Sequence, residues 1–318
     1  MQNRTISIVI PIYNEAPNVT PLYQAVKKII TGLPQKFELI FVDDGSSDDS
    51  VSRIKKLTKK DKAVRVVELA RNFGKEIAVT AGIHAAHGDA AVIMDADLQH
   101  PPELLPQFIN EWENGADVVV GVKQYSKQER WFKKFTSKCF YSILGKVSSA
   151  SITPHASDFR LINRKVIDAF RSFTERNRIT RGIIDWTGFE RRYIYFEAPP
   201  RLHGEATYSF RKLVHLAMSS FTAYSMLPLR IAGWLGWLIL LGSFFLGSFI
   251  FVEQYILSDP MHLGVSGTAK LAIVLLFLVG VVLICLGFVA MYIARIHEEV
   301  LNRPLYIVKE EVNGGEAE

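Results

Sequence analysis

"AAVIMDADLQHPPE", residues 90–103, passes from an apolar run into two aspartates one residue apart, and then into a pair of prolines. A short apolar run bounded by turn chemistry reads as a strand buried on both faces. Asp95 and Asp97 then stand at the carboxyl end of that strand, where open α/β sheets hold their ligands. Pro101 and Pro102 close the run, and the second is suited to begin a helix.

The same texture recurs on either side. β-Branched runs lie at "ISIVIPIY" (6–13), "FELIFVDD" (37–44), "VRVVEL" (64–69) and "DVVVGV" (117–122), with the opening run taken as 90–97. Between them, segments 19–30, 51–58 and 75–86 carry apolar residues at helical spacing. Strands alternating with helices predict an α/β fold, an open and mostly parallel sheet covered on both faces. Unusual residues gather at three strand ends: Pro11, Tyr13, Asn14 and Glu15; Asp43 and Asp44 before a Gly-Ser turn; and Asp95 through Gln99. Asp48 is expected to cap the helix after that turn.

Three acidic strand ends on one edge suit a phosphate ligand only if a cation lies between. A nucleoside diphosphate brings two or three negative charges that bare carboxylates repel. Mg²⁺ or Mn²⁺ takes hard oxygen ligands and is often held by one or two carboxylates plus substrate phosphates. Asp97 and the Gln99 amide oxygen, two apart on a segment read as extended, point the same way and are expected to share the ion. Asp95 is then expected to face the donor sugar or ribose.

Beyond residue 200 the composition changes. Residues 231–252 and 271–294 carry no charge, and each run is long enough for the roughly 30 Å of a bilayer core. Arg230 and Arg295 flank the outer ends, while the linker holds Glu253, Asp259 and Lys270. The positive-inside rule predicts a hairpin with both termini cytoplasmic. Segment 209–229 reads as an amphipathic helix at the membrane surface, and 123–146, with six Lys or Arg before Cys139, as a second surface candidate. The expected organisation is a cytosolic domain (1–208), the juxtamembrane helix (209–229), the two spans (230–295) and a cytosolic tail (296–318) whose acidic end frays. Over 318 residues, 49% apolar and 22% charged, a net charge of +5 fits a neighbour of anionic phosphate. Nucleic acid is not expected, because the basic segments adjoin apolar spans and no recognition motif is present. Cys139 and Cys285 form no metal spacing or disulfide framework, which suggests a reducing compartment.

"IVIPIYNE" (8–15), "VDDGSSDDS" (42–50), the stretch from "RNFGK" (71–75) through "DADLQHPPE" (95–103), and "SDFRLINR" (157–164) resemble glycosyltransferase family 2, with its GT-A fold. With "RLHGEATYS" (201–209) and the hairpin, the chain resembles that family's polyprenyl-phosphate glycosyltransferases. The resemblance implies metal-dependent, inverting transfer of a sugar from a nucleotide sugar to polyprenyl phosphate at the cytoplasmic membrane. UDP-glucose is the first expectation for the donor, and GDP-mannose would use the same motifs. It places Pro11, Tyr13, Glu15, Val42 and Asp44 in the nucleotide pocket, with Asp44 on the base or ribose. Asp95, Ala96, Asp97 and Gln99 match the metal and diphosphate motif, and Arg71 and Lys75 lie near the donor. Asp158 matches the acceptor-side carboxylate, with Arg160 beside it, and Arg201, Arg211 and Lys212 meet the acceptor phosphate. Many relatives carry Lys where this chain has Thr207. A homo-oligomer is compatible with the family, although nothing in the sequence counts subunits.

Two rival readings share some of these features. A processive polysaccharide synthase typically carries Gln, two residues, then Arg-Trp, whereas "QERW" (128–131) is one residue short, and two spans offer no obvious channel. A non-catalytic nucleotide-binding scaffold is disfavoured by the intact acid and glutamine set.

Overall fold

The apolar runs become β1 (Thr5–Ile12), β2 (Lys36–Asp43), β3 (Val64–Leu69), β4 (Ala90–Ile93) and β5 (Val118–Gln124). Helices α1 (Ala16–Ile30), α2 (Ser50–Lys60) and α3 (Lys75–Ala85) join the first four, and α4 (Leu105–Glu113) precedes β5. After β5 come β6 (Ala156–Asn163), α5 (Arg164–Ser172), α6 (Thr180–Trp186) and β7 (Arg191–Glu197). Helix α7 (Gly267–Val300) and strand β8 (Val308–Val312) complete the described elements. This computed structural model describes residues 4–124, 156–176, 178–197 and 267–313, with single positions at 241, 245 and 252.

The strands form one sheet in the order β7-β5-β6-β4-β1-β2-β3-β8. β1 pairs in parallel with β2 and β4, β2 with β3, and β5 with β7. β6 runs antiparallel to β4 and β5, and β8 antiparallel to β3, so the sheet is mixed around a parallel centre.

Side chains alternate across β1 and fill two cores. Ile6, Ile8, Ile10 and Ile12 meet Val19, Leu22 and Val26 of α1 on one face. Val9, with Ile40 and Val42 of β2, meets Ala78, Val79 and Ala81 of α3 on the other. Each such fully buried side chain contributes roughly 1.5–3 kcal/mol. Close approach of α3 depends on Gly82, where a Cβ would lie 2.2 Å from Val9 Cγ1 and 3.0 Å from Val42 Cγ2. Val42 is therefore core beneath α3 and does not face the strand-end cavity, contrary to expectation.

Three further expectations change. β4 ends at Ile93 rather than at residue 97, because Leu98 adopts a left-handed conformation (φ 58°) and the acidic motif is a turn. Asp49 is the residue preceding α2, and Asp48 instead accepts from Ser50 N and Ala16 N, each at 3.0 Å, tying the starts of two helices together. The acidic end expected to fray contains β8, which guards the flank of β3.

The chain divides into two compact units, Met1–Tyr208 with Arg303–Glu318, and Ser209–Asn302. In the second, α7 contains the whole of the expected span 271–294. Counted over the described residues, no helix is long and apolar enough to cross a membrane. The other span lies outside those residues except at 241, 245 and 252, as do segments 209–229 and 125–146.

Candidate active site

At the carboxyl ends of β1, β2 and β4 lies an open cavity of about 340 Å³. The chain runs from β1 to β2 and β3 on one side, whereas β4 lies on the other. That reversal leaves a crevice between β1 and β4, the position at which open α/β sheets bind ligands. Pro11, Tyr13 and Glu15 line it from β1, Asp44 from β2, and Asp95, Ala96 and Asp97 from the turn after β4. Tyr13 is half exposed, leaving its ring available for stacking.

Two loops are fastened together at the rim. Asn14, left-handed at φ 54°, donates its N–H to Ser46 Oγ at 2.9 Å and accepts from Ser47 N at 2.9 Å. Gly45, at φ 71°, lets the 71–75 loop lie against the end of β2, where a Cβ would meet Arg71 C at 2.5 Å. The Asp44 carboxylate accepts from Phe73 N at 2.7 Å and Gly74 N at 2.9 Å. It lines the cavity, but both oxygens already hold this loop. Burial raises its pKa, partly countered by those two N–H groups. Asn72 and Gly74 also line the cavity and were missed, although they belong to the "RNFGK" stretch. Arg71 does not line it, and its guanidinium lies 4.1 Å from the centroid of the Phe73 ring.

The antiparallel register between β4 and β6 pairs Ile93 with Arg160. Carried two residues further, it sets Asp95 opposite Asp158. Two facing carboxylates repel, and Lys75, the first residue of α3, stands between them. Its Nζ lies 2.6 Å from Asp95 Oδ1 and 2.8 Å from Asp158 Oδ2. Burial alone would lower the Lys75 pKa, but the two carboxylates outweigh it and raise the group above its ordinary value.

Asp95 has a second support, from a residue not singled out in the sequence. Its N–H donates to Nδ1 of buried His100 at 3.0 Å, and His100 stacks on Phe159 with centroids 5.1 Å apart. Burial lowers the imidazole pKa, so the ring is neutral, with its proton on Nε2.

The expected pairing of Asp97 with Gln99 does not form. The turn at Leu98 breaks the extended geometry, and Asp97 Oδ1 accepts the Gln99 N–H at 3.1 Å. Gln99 Oε1 accepts from Lys123 Nζ at 3.3 Å instead. Among the described residues no cluster of three metal-ligating side chains exists. The carboxylates lining the cavity still suit a divalent ion that takes its remaining oxygens from a diphosphate and water.

A description of "Glycosyl transferase family 2" matches residues 7–171. The chain belongs to glycosyl transferase family 2. It is 38% identical over 305 residues to an uncharacterized glycosyltransferase of Synechocystis sp., covering 96% of this chain and 95% of that one. It is 34% identical to the SfII prophage-derived bactoprenol glucosyl transferase of Shigella flexneri, covering 97% and 99%. Glucosyl-3-phosphoglycerate synthase from Mycobacterium tuberculosis, solved with Mn²⁺ and UDP-glucose, aligns at 19% identity with a TM-score of 0.45, over 68% of this chain and 76% of that one.

In this family 2 glycosyltransferase, Asp158 and Arg160 sit two apart on β6 and share a face, yet they do not pair. Arg160 is buried and donates from Nη1 to Asp185 Oδ1 at 2.8 Å, so it is not exposed to an acceptor. Asp158 faces Lys75 and, at 3.9 Å, the guanidinium of Arg181. Arg201, Arg211 and Lys212 lie outside the described residues.

Proposed function

We propose that this glycosyltransferase moves a hexose, glucose in the first instance, from a nucleotide sugar to the phosphate of a polyprenyl lipid at the cytoplasmic membrane face. The observation that carries the reading is the placement of Asp95 and Asp158 on either side of Lys75, one carboxylate at the strand-end cavity and the other beyond it. Full-length likeness to a bactoprenol glucosyl transferase supports the lipid acceptor. The chain leaves the catalytic unit after Tyr208 and rejoins it at Arg303. Any crossings between those points must be even in number, which agrees with the two apolar runs forming a hairpin.

In this reading Pro11 and Tyr13 bound the base, and the end of β4 receives the diphosphate. Asp97, with Asp95 beside it, would hold Mg²⁺ or Mn²⁺, which supplies charge neutralisation for the departing diphosphate. His100 and Lys75 fix Asp95 so that its position does not depend on the ligand. A lipid phosphate oxygen forms the new bond to the anomeric carbon as the bond to the nucleoside diphosphate breaks on the opposite face. The attacking group needs no base, because a phosphate monoester with a second pKa near 6 is largely dianionic at pH 7. Asp158 orients the cations around that phosphate.

The test is a panel of radiolabelled nucleotide sugars offered to the protein in nanodiscs with undecaprenyl phosphate, with and without EDTA. One donor should label the extracted lipid, and EDTA should abolish the labelling, with Mg²⁺ or Mn²⁺ restoring it. No labelled lipid with any donor would refute the reading.

A further inference from the structure

Among the described residues two cations face Asp158: Lys75, expected near the donor, and Arg181, which was not singled out in the sequence. Arg181, the second residue of α6, is half exposed and brings Nη1 to 3.9 Å from Asp158 Oδ1. Lys75 lies 2.8 Å from the other carboxylate oxygen. These three residues, with Glu76, Arg160 and Thr180, line one part of a small cavity of about 10 Å³, and Val79, Ile93 and Ile184 form its apolar part. That volume holds about one water or one ligand oxygen. Lys75 forms part of the wall of this cavity and of the larger one.

Arg181 is held from behind by groups with no exposed role of their own. Arg160, fixed by Asp185, also donates from Nη1 to the Arg181 carbonyl at 3.4 Å. Glu76 Oε2 accepts the Thr180 N–H at 2.7 Å, tying the start of α6 to α3. Thr180 is 6% exposed, and its buried hydroxyl has no hydrogen-bond partner among the described residues. A buried hydroxyl left unpaired is unfavourable, and Thr180 shares the lining of the cavity with both cations.

We propose that Arg181, with Lys75 and the Thr180 hydroxyl, receives the phosphate of the acceptor. The assignment rests on the proposed transfer to a lipid phosphate and gives Arg181 the part expected of Arg160, whose guanidinium is committed to Asp185. Guanidinium geometry matches two phosphate oxygens at once, whereas an ammonium offers a point charge. Asp158 spaces the two cations, so that a tetrahedral anion is gripped from two sides.

The experiment measures steady-state transfer to farnesyl phosphate in nanodiscs, from whichever of UDP-glucose or GDP-mannose supports it, for wild type, Arg181→Gln and Arg181→Lys. Arg181→Gln should raise the acceptor KM roughly tenfold or more, the loss expected for a charge-assisted pair. The donor KM should stay within about twofold, and Arg181→Lys should fall between. Inorganic phosphate should compete with farnesyl phosphate in wild type and compete less well in Arg181→Gln. That arm separates recognition of phosphate from recognition of the lipid chain. An unchanged acceptor KM in Arg181→Gln, or a donor KM raised equally, would overturn the assignment while wild-type turnover left the proposed function standing. Absence of wild-type transfer from either donor would remove both. Melting curves of the variants should match wild type, since Arg181 is half exposed, and a large drop would reassign it to stability.

Discussion

Asp158 keeps its charge far below neutrality. Burial pushes its carboxyl up, but the Lys75 ammonium and the Arg181 guanidinium outweigh burial and hold it at about 2. Because the folded value is depressed, the stabilisation is complete above the unfolded value of about 3.9 and is lost only as pH falls toward about 2. Asp158 therefore does not titrate between pH 5 and 9 and is poorly suited to removing a proton at pH 7. The acid limb of the transfer rate should instead lie near pH 6, where the acceptor phosphate gains its second charge. Replacing the lipid phosphate by a phosphonate of higher second pKa should move that limb upward, and a limb that stayed put would assign it to the protein. Single residues also mark where reading the sequence failed. Gln99 was placed by the period of a strand that Leu98 interrupts, and Arg160 by its neighbour in sequence rather than by Asp185, 25 positions away. The partners that decide such residues are distant in the chain, and spacing does not encode them.

Among the elements, β1 to β4 were legible because strands buried on both faces must be continuously apolar. β6, "ASDFRLIN", was not, because Asp158 and Arg160 place charges on a face that closes over other charges. β7 and β8 are edge strands carrying charge, and "VKEEV" has three charges in five residues. Charge is how natural sheets keep their edges from pairing with other chains, and it hides the strand from a hydrophobic pattern. Here the charges are matched. Glu68 of β3 takes Lys55 at 3.0 Å and also Lys309, and Arg65 takes Glu311 at 2.7 Å. Asn313 Nδ2 donates to the carbonyls of Thr58 and Val64. A chain ended after Tyr306 should lose the β3–β8 ladder. At about 1 kcal/mol per hydrogen bond, and about 2–4 °C per kcal/mol in a unit of this size, its melting temperature should fall by several degrees. Aggregation through the bared β3 flank should accompany the fall. Unchanged melting and solubility would show that β8 is dispensable.

For the molecule as a whole, the family was readable early, since it depends on local motifs at strand ends. The return of the chain to the first unit at Arg303 was not, because the tail looked like a polar extension and only its pairing with β3 brings it back. If residues between those points form the proposed hairpin, a reporter after Glu318 and one at the amino terminus should label from the same face of sealed vesicles. A cysteine placed in the 253–270 linker should label from the opposite face. Labelling of all three from one side would exclude the hairpin. The docking of β8 has a further consequence for how the enzyme is made. The last strand of the sheet is also the last to leave the ribosome, after nearly a hundred residues that belong elsewhere. The nascent sheet waits with one flank open until the whole second unit has been made, so a chain stopped within that unit is an unfinished fold as well as a shortened one.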